Sequence, residues 1–285
     1  SDNRVDAELA ATLLALMARE GIASAQPERW LGAGGTPTTA EPYGGDVTLS
    51  PSQFERALAC PLRWFLTTIG ADGPSNAAAS LGTLVHALAE ENPHGSAQEL
   101  TEELEARIEE LGYNLDTWAG RHADRRAHTI VDNLASYMAG VPGRVEVERS
   151  VEAQVEGVTI RGRMDRLEHV DEGVRVTDLK TGKSGYSAKT VPDNPQLAAY
   201  QMALLAAGER VAGARIALLG DKKPHSFDQR PLEGETLEGW REKVREVAAI
   251  ARGPYFEATP SEKACLYCSF DRLCPARERG RKVVE

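Results

Sequence analysis

Asp165, Asp178 and Lys180 are the residues of this chain best suited to chemistry. Two converging carboxylates without a counter-charge make a site for a hard cation such as Mg²⁺ or Mn²⁺. A lysine two residues from one of them can hold or deprotonate a water, or steady the charge that builds on a phosphate. The competing reading is a surface hairpin in which Asp178 and Lys180 form an ordinary ion pair. Burial decides between the two, because a half-buried Asp or Lys is costly unless it is paired or bound to a metal.

The alternation of residues predicts that burial. Residues 158–164 and 174–180 each follow the period-two pattern of a half-buried strand, with residues 169–173 expected as the hairpin turn between them. On the second strand Val174 and Val176 share a face with Asp178 and Lys180, so a core-facing surface ends in a carboxylate and an amine.

The four cysteines make a second candidate site: Cys60 stands alone, and Cys265, Cys268 and Cys274 form Cys-x₂-Cys-x₅-Cys. Two disulfides would be unusual in a cytosolic protein, and thiols this close together are seldom mere core filler. Four thiolates can hold Zn²⁺ or a [4Fe–4S] cluster, and spacing alone does not separate them.

The remaining chain supplies the elements. Residues 6–20 have the spacing of an amphipathic helix with Leu9, Leu13, Leu14 and Met17 as its apolar stripe, and residues 32–45 form a Gly/Pro/Thr-rich linker. Ser50 is an expected N-cap, with Pro51 at the first helical position and Gln53 at the capping-box position. Residues 80–91 form a helix with His86 in its middle, and residues 97–111 and 121–138 form two more, the first very acidic. Residues 145–160 return to strand character and carry Glu146 and Glu148 on one face. A polar loop at 183–195 leads into a helix at 196–207, where Gln196 and Tyr200, four apart, share a side. Strands at 211–220 and 225–230 and an amphipathic helix at 237–252 follow.

Taken together, Gly82-x-x-x-His86, Gly162-x-x-Asp165-Arg166, Asp178-x-Lys180-Thr181-Gly182 and Gln196-Leu197-x-x-Tyr200 resemble the RecB-type branch of the PD-(D/E)xK nuclease superfamily, over most of the chain. The phrase Leu49-Ser50-Pro51-Ser52-x-Phe54-Glu55, followed by Cys60-Pro61-Leu62-Arg63-Trp64-Phe65 and the C-terminal cysteine trio, is similar to the iron-staple nucleases of the AddAB/AdnAB helicase–nuclease group. The resemblance implies an α/β fold: a restriction-endonuclease-like core with a mixed central sheet flanked by helices and a helical insert. It implies that His86, Asp165, Asp178 and the Leu179 carbonyl hold the divalent ion, that Lys180 aligns or activates water, and that Glu148 lies near the metal. Gln196 and Tyr200 would contact DNA or order Lys180. It favours a [4Fe–4S] cluster over Zn²⁺ at Cys60, Cys265, Cys268 and Cys274, with the mechanical role of tying the tail to the first helix of the nuclease part. Residues 1–45 would be a junction to an upstream domain and residues 46–285 the nuclease domain.

The implied activity is metal-dependent hydrolysis of DNA, as an exonuclease on single strands fed from a helicase, in double-strand-break repair or recombination. The implied partners are DNA, a helicase and a second nuclease or helicase subunit. A non-catalytic DNA-binding scaffold and a stand-alone nuclease of CRISPR-adaptation or mobile-element type are the alternatives.

Composition restricts these readings. At 285 residues, 41% of them hydrophobic, the chain holds one large domain or two small ones. No run approaches the apolar length of a membrane span and no charged-then-apolar leader is present, so a cytoplasmic location is expected. The net charge of −10 argues against a broad DNA-binding surface, although a narrow basic groove fits on an acidic protein. Arg161, Arg163, Arg166, Lys180, Lys183 and Lys189 are expected to line the site. No Walker A pattern occurs, so ATP hydrolysis by this chain alone is not expected.

Overall fold

The structure is a computed structural model that describes residues 2–26, 45–71, 81–141, 143–182, 185–266 and 268–277, apart from the side chains of residues 2–8, 110 and 263. The linker expected at 32–45 and Lys183 therefore lie almost wholly outside the described residues. No helix is long and apolar enough to cross a membrane.

In chain order the elements are α1 (Asp2–Arg19), β1 (Val47–Leu49), α2 (Pro51–Ala59), α3 (Pro61–Thr68), α4 (Leu81–Glu91), α5 (Ala97–Arg107), α6 (Trp118–Ala139), β2 (Val145–Val155), β3 (Val158–Val170), β4 (Gly173–Lys180), α7 (Pro195–Ala206), β5 (Val211–Leu218), β6 (His225–Gln229), α8 (Gly234–Arg252) and α9 (Glu262–Cys265). The strands form one six-stranded mixed sheet. β2, β3 and β4 are antiparallel neighbours, β4 and β5 are parallel across α7, and β6 closes the edge antiparallel to β5. This is the mixed α/β architecture of a restriction-endonuclease-like core.

Two apolar layers sandwich the sheet. On one side Val174, Val176, Ile216 and Leu218 pack with Phe54 of α2, Leu197 and Leu204 of α7, and Trp240 of α8. On the other side Leu179, Ala217 and Leu219 pack with Leu84 and Leu88 of α4, Leu100 of α5, and Ile130 and Leu134 of α6. The strict alternation of β4 and β5 between these layers follows from the period of a strand.

Two boundaries differ from expectation. His169 and Val170 remain in β3, paired with Val174 and Gly173, so the turn contracts to Asp171-Glu172. Residues 145–160 are not one strand, since Glu156 and Gly157, both at positive φ, turn β2 into β3. The ladder's long-range pairing outweighs the local polarity that marks 169–170 as turn.

A further difference concerns charge. Arg166 does not line a groove: it is fully buried, donates to Pro93 O at 3.1 Å and faces Met138 Sδ. Its neighbour Glu168 is also buried and accepts from Tyr137 Oη at 2.5 Å and from Arg175 at 2.9 and 3.0 Å. This network bolts α6 to the sheet. Burial pushes the Tyr137 hydroxyl far up, and the Glu168 charge adds to the shift, so Tyr137 stays a donor. Arg161 is likewise engaged, by Glu152 at 2.7 Å.

Replacing Tyr137 with Phe strips a donor from a buried carboxylate, and should lower the unfolding free energy by about 1–3 kcal/mol. Urea denaturation checks this; unchanged stability would show that the hydroxyl contributes nothing to the bolt.

Candidate active site

The site forms where the sheet comes apart. β2 pairs with β3 along almost its whole length, so β1 and β4, which pair with residues 158–160 and 166–170, must share the opposite edge of β3. Between them residues 161–165 have no strand partner on that edge among the described residues. On the β2 side the ladder pairs Val147 with Arg166 and Arg149 with Met164, passing over Glu148 and Asp165. Asp165 is thus outside both ladders.

Backbone groups exposed by this opening must find other partners. Tyr200 Oη donates to Arg163 O at 2.7 Å, and the N–H of Leu179, beyond the last β3–β4 pair, donates to Asp165 Oδ2 at 2.7 Å. Gly162 permits this filling. A Cβ there would lie 2.8 Å from Pro51 Cδ and 3.0 Å from Tyr200 Cε1. Pro51 is held in turn by the capping box of Ser50 and Gln53 that starts α2.

Three donors converge in the opening. His86 of α4, Glu148 of β2 and Asp165 of β3 each offer a ligand atom within 4.8 Å of the others. His86 Nδ1 lies 3.3 Å from Asp165 Oδ1. The hydrogen bond to Asp165 raises the His86 pKa against the lowering effect of burial. Glu148 reaches the group because its φ is +49°, a left-handed conformation rare for a non-glycine residue. That twist separates it from Glu146, which stays with His169 and Arg149 outside the site. Such backbone strain costs on the order of 1–3 kcal/mol and gathers at functional positions. Arg163 forms a tight ion pair with Glu148.

Asp178 stands beside this trio rather than in it. Its Oδ2 is 2.7 Å from Lys180 Nζ, and its Oδ1 accepts from Gln196 Nε2 at 2.9 Å. Burial raises the Asp178 pKa, opposed by the Lys180 charge and reinforced by Asp165. Burial alone would lower Lys180, but Asp178 and the groups around it outweigh it, so the amine is held as an ammonium. In this arrangement Lys180 is a hydrogen-bond donor to Asp178. Gln196 also lies 3.5 Å from Lys180 Nζ and so touches both members of the pair.

The start of α7 is anchored for this purpose. Asn194 caps it by accepting from Leu197 N at 2.8 Å, and buried Gln229 of β6 donates to Pro192 O and Asn194 O, each at 3.0 Å. The expected face of Gln196 and Tyr200 is therefore the inward one, with different duties: Gln196 touches the carboxylate and Tyr200 closes the backbone. Tyr186, in the polar loop, was not singled out by the sequence; it packs against the first core and its charge environment includes Lys180. A lone aromatic in a polar loop was the available signal.

Residues 48–275 match the PD-(D/E)XK nuclease superfamily. The chain belongs to that superfamily. Asp178-Leu179-Lys180 has the form its name describes, and PD-(D/E)XK nucleases use divalent metals such as Mg²⁺ or Mn²⁺. One imidazole and two carboxylates fit such a hard cation, with Asp178 alongside. The Gene 69 protein of Mycobacterium phage D29 is 25% identical over 183 residues, 56% of this chain and 64% of that protein, so the match spans under two thirds of that relative. Among solved structures, SSO0001 is 16% identical with a TM-score of 0.42, covering 82% of this chain and 89% of that one. A putative exonuclease from Eubacterium rectale is 13% identical with a TM-score of 0.42, covering 73% and 82%.

The cysteines lie on two segments that are bonded together. Cys60 is the elbow between α2 and α3. Thr259 donates to Ala59 O at 3.0 Å, Arg63 to Ala264 O at 2.9 Å and Leu62 N to Glu257 O at 3.0 Å, while Phe65 stacks on Phe256 at 4.1 Å. All four thiols are half-buried and none is in a disulfide. No three of their Sγ atoms lie within 4.8 Å of one another, wider than the S···S spread of about 3.8 Å that Zn–S bonds of about 2.3 Å impose.

Asp165→Asn should weaken Mn²⁺ binding by more than about tenfold, and Gln196→Ala, which only positions Asp178, by less. Isothermal titration calorimetry measures both; equal affinities for Asp165→Asn and the parent protein would remove Asp165 from the ion site.

Proposed function

We propose that this chain is a divalent-metal-dependent DNA nuclease that hydrolyses phosphodiester bonds, acting as an exonuclease on single strands. The observation that carries the reading is the convergence of His86, Glu148 and Asp165 beside the Asp178–Lys180 pair, in an opening of the sheet lined by the superfamily's motif. When bound, a divalent ion polarises a scissile phosphate and lowers the pKa of water.

The chain's own residues do the rest. His86, Glu148, Asp165 and Asp178 would hold the ion, with the Leu179 carbonyl as a further oxygen. The Lys180 ammonium donates to the attacking water or to a phosphate oxygen and stabilises negative charge as it develops. Gln196 keeps Asp178 and Lys180 in register with each other, and Tyr200 keeps β3 in place beside them. With no motif for base-edge reading, cleavage depends on strand structure and not on base sequence.

Cys60, Cys265, Cys268 and Cys274 would hold a [4Fe–4S] cluster, or alternatively Zn²⁺, as the staple between the α2–α3 elbow and the tail. A cytoplasmic repair or recombination role beside a helicase and a second nuclease or helicase subunit rests on the AddAB/AdnAB-like phrase around Cys60. The exposed Leu9, Leu13 and Leu16 of α1 offer surface that such a partner would cover.

Labelled single-stranded DNA incubated with Mn²⁺ or Mg²⁺ should be shortened by the intact protein, and Asp178→Ala or Lys180→Ala should reduce the rate by at least about a thousandfold. Chelation of the divalent ion should abolish cleavage. If a folded, metal-loaded protein leaves both single and double strands intact, the scaffold account replaces this one. Protein purified without oxygen should absorb near ~400 nm and lose that band on Cys60→Ala; a colourless, zinc-bearing protein would exclude the cluster.

A further inference from the structure

A basic cleft of about 520 Å³ lies between α6 and the loop that follows β5, lined by His122, Arg125, Arg126, Thr129 and Lys222, with Asp221 its single acidic lining residue. Among the described residues no carboxylate lies within salt-bridge distance of Arg125 or Lys222. Several exposed arginines elsewhere, Arg144, Arg161, Arg163, Arg241 and Arg245, do sit in ion pairs. On a protein of net charge −10 the cleft thus brings Arg125 and Lys222 together, beside His122 and Arg126, with one acidic neighbour.

An aromatic face accompanies it. Trp118, at the first turn of α6, is 71% exposed and stacks in parallel on His122 with ring centroids 5.3 Å apart. An indole of this size left open to solvent beside a row of cations is the pairing that holds an unpaired base and its phosphates.

The cleft is built onto the active site. Arg126 donates to Thr181 O at 3.1 Å, one residue beyond Lys180. Buried Asn133 donates to Leu219 O at 2.9 Å and to Asp221 O at 2.8 Å, which fixes the loop carrying Lys222 against α6. Gly220 brings that loop so close that a Cβ would lie 2.4 Å from Gly182 O. The cleft floor and the end of the catalytic strand are one packed unit.

We propose that this cleft is the track along which a single nucleic-acid strand runs to the site, with a base stacked on Trp118 and phosphates held by Arg125 and Lys222. The proposal rests on the nuclease reading for the strand's destination, and it names residues that select a single strand over a duplex, since a paired base has no free face for Trp118.

The test is fluorescence anisotropy with a labelled 15-nucleotide oligothymidylate in EDTA, where nothing is cut. Charge reversal at Arg125→Glu with Lys222→Glu should weaken binding at least tenfold. It should also flatten the dependence of log K on log salt by about 1.4, at about 0.7 per phosphate contact. Trp118→Ala should weaken binding about fivefold or more without changing that slope, and Lys222→Arg should bind as the parent does. All these residues are exposed or lie on the cleft rim, so the fold is not at stake. Unchanged affinity and slope in both the charge reversal and Trp118→Ala would overturn the proposal, as would a duplex of equal length binding as tightly and without regard to Trp118. Binding through the cleft by a protein that cuts nothing would leave this inference standing and remove the nuclease reading. Cleavage by a protein whose cleft variants bind normally would do the reverse.

Discussion

Asp165 lies outside both of the ladders that hold β3, and the site follows from that opening. A strand that loses its neighbours exposes N–H and C=O groups that cannot be left bare in the interior. Here a tyrosine hydroxyl satisfies one carbonyl and the Asp165 carboxylate satisfies one amide. The carboxylate that would serve an ion is thus also the group that completes the backbone of β4. Gly162 is required for the same reason, since the start of α2 and the ring of Tyr200 must press against the bare edge.

An opening of this kind collects charge, and the protein treats the charges in the opening and those buried beside it differently. Beside the site, buried Arg166, Glu168 and Tyr137 form a network that half-buried Arg175 completes. Removing one member leaves the others uncompensated, so the network acts as a rigid backing for β3 and β4. At the site, by contrast, each carboxylate meets an ionisable partner within reach of solvent: Arg163 at Glu148, His86 at Asp165, Lys180 at Asp178.

The tail uses contacts spread across the fold. Residues 256–265 wrap the elbow of α2 and α3 through ring stacking and hydrogen bonds to backbone, and these bring the two cysteine-bearing segments together whatever the thiols hold. The helix that ends at this elbow, α2, begins at Pro51 against Gly162, so the same element touches the tail at one end and the bare edge of β3 at the other.

Much of this was legible in the chain itself. Alternation alone places Asp178 and Lys180 on the face of Val174 and Val176, and the helical spacing of Gln196 and Tyr200 places them together, because both periods are local properties of the backbone. The cap of α2 at Ser50 and Gln53 is local as well, and it is present as expected. What only the tertiary structure decided depends on where ladders begin and stop. Whether Glu146 or Glu148 enters the site turns on a left-handed residue opposite Asp165, and no neighbouring sequence demands it. Arg166 reads as a site cation because it adjoins Asp165, but its side chain is buried against Pro93 and Met138 of α6. His86 and Asp165, 79 positions apart in the chain, meet because α4 crosses the opening in β3. Residue type and period are written along the chain; pairing register is a contest between distant segments, settled only when the whole sheet is packed.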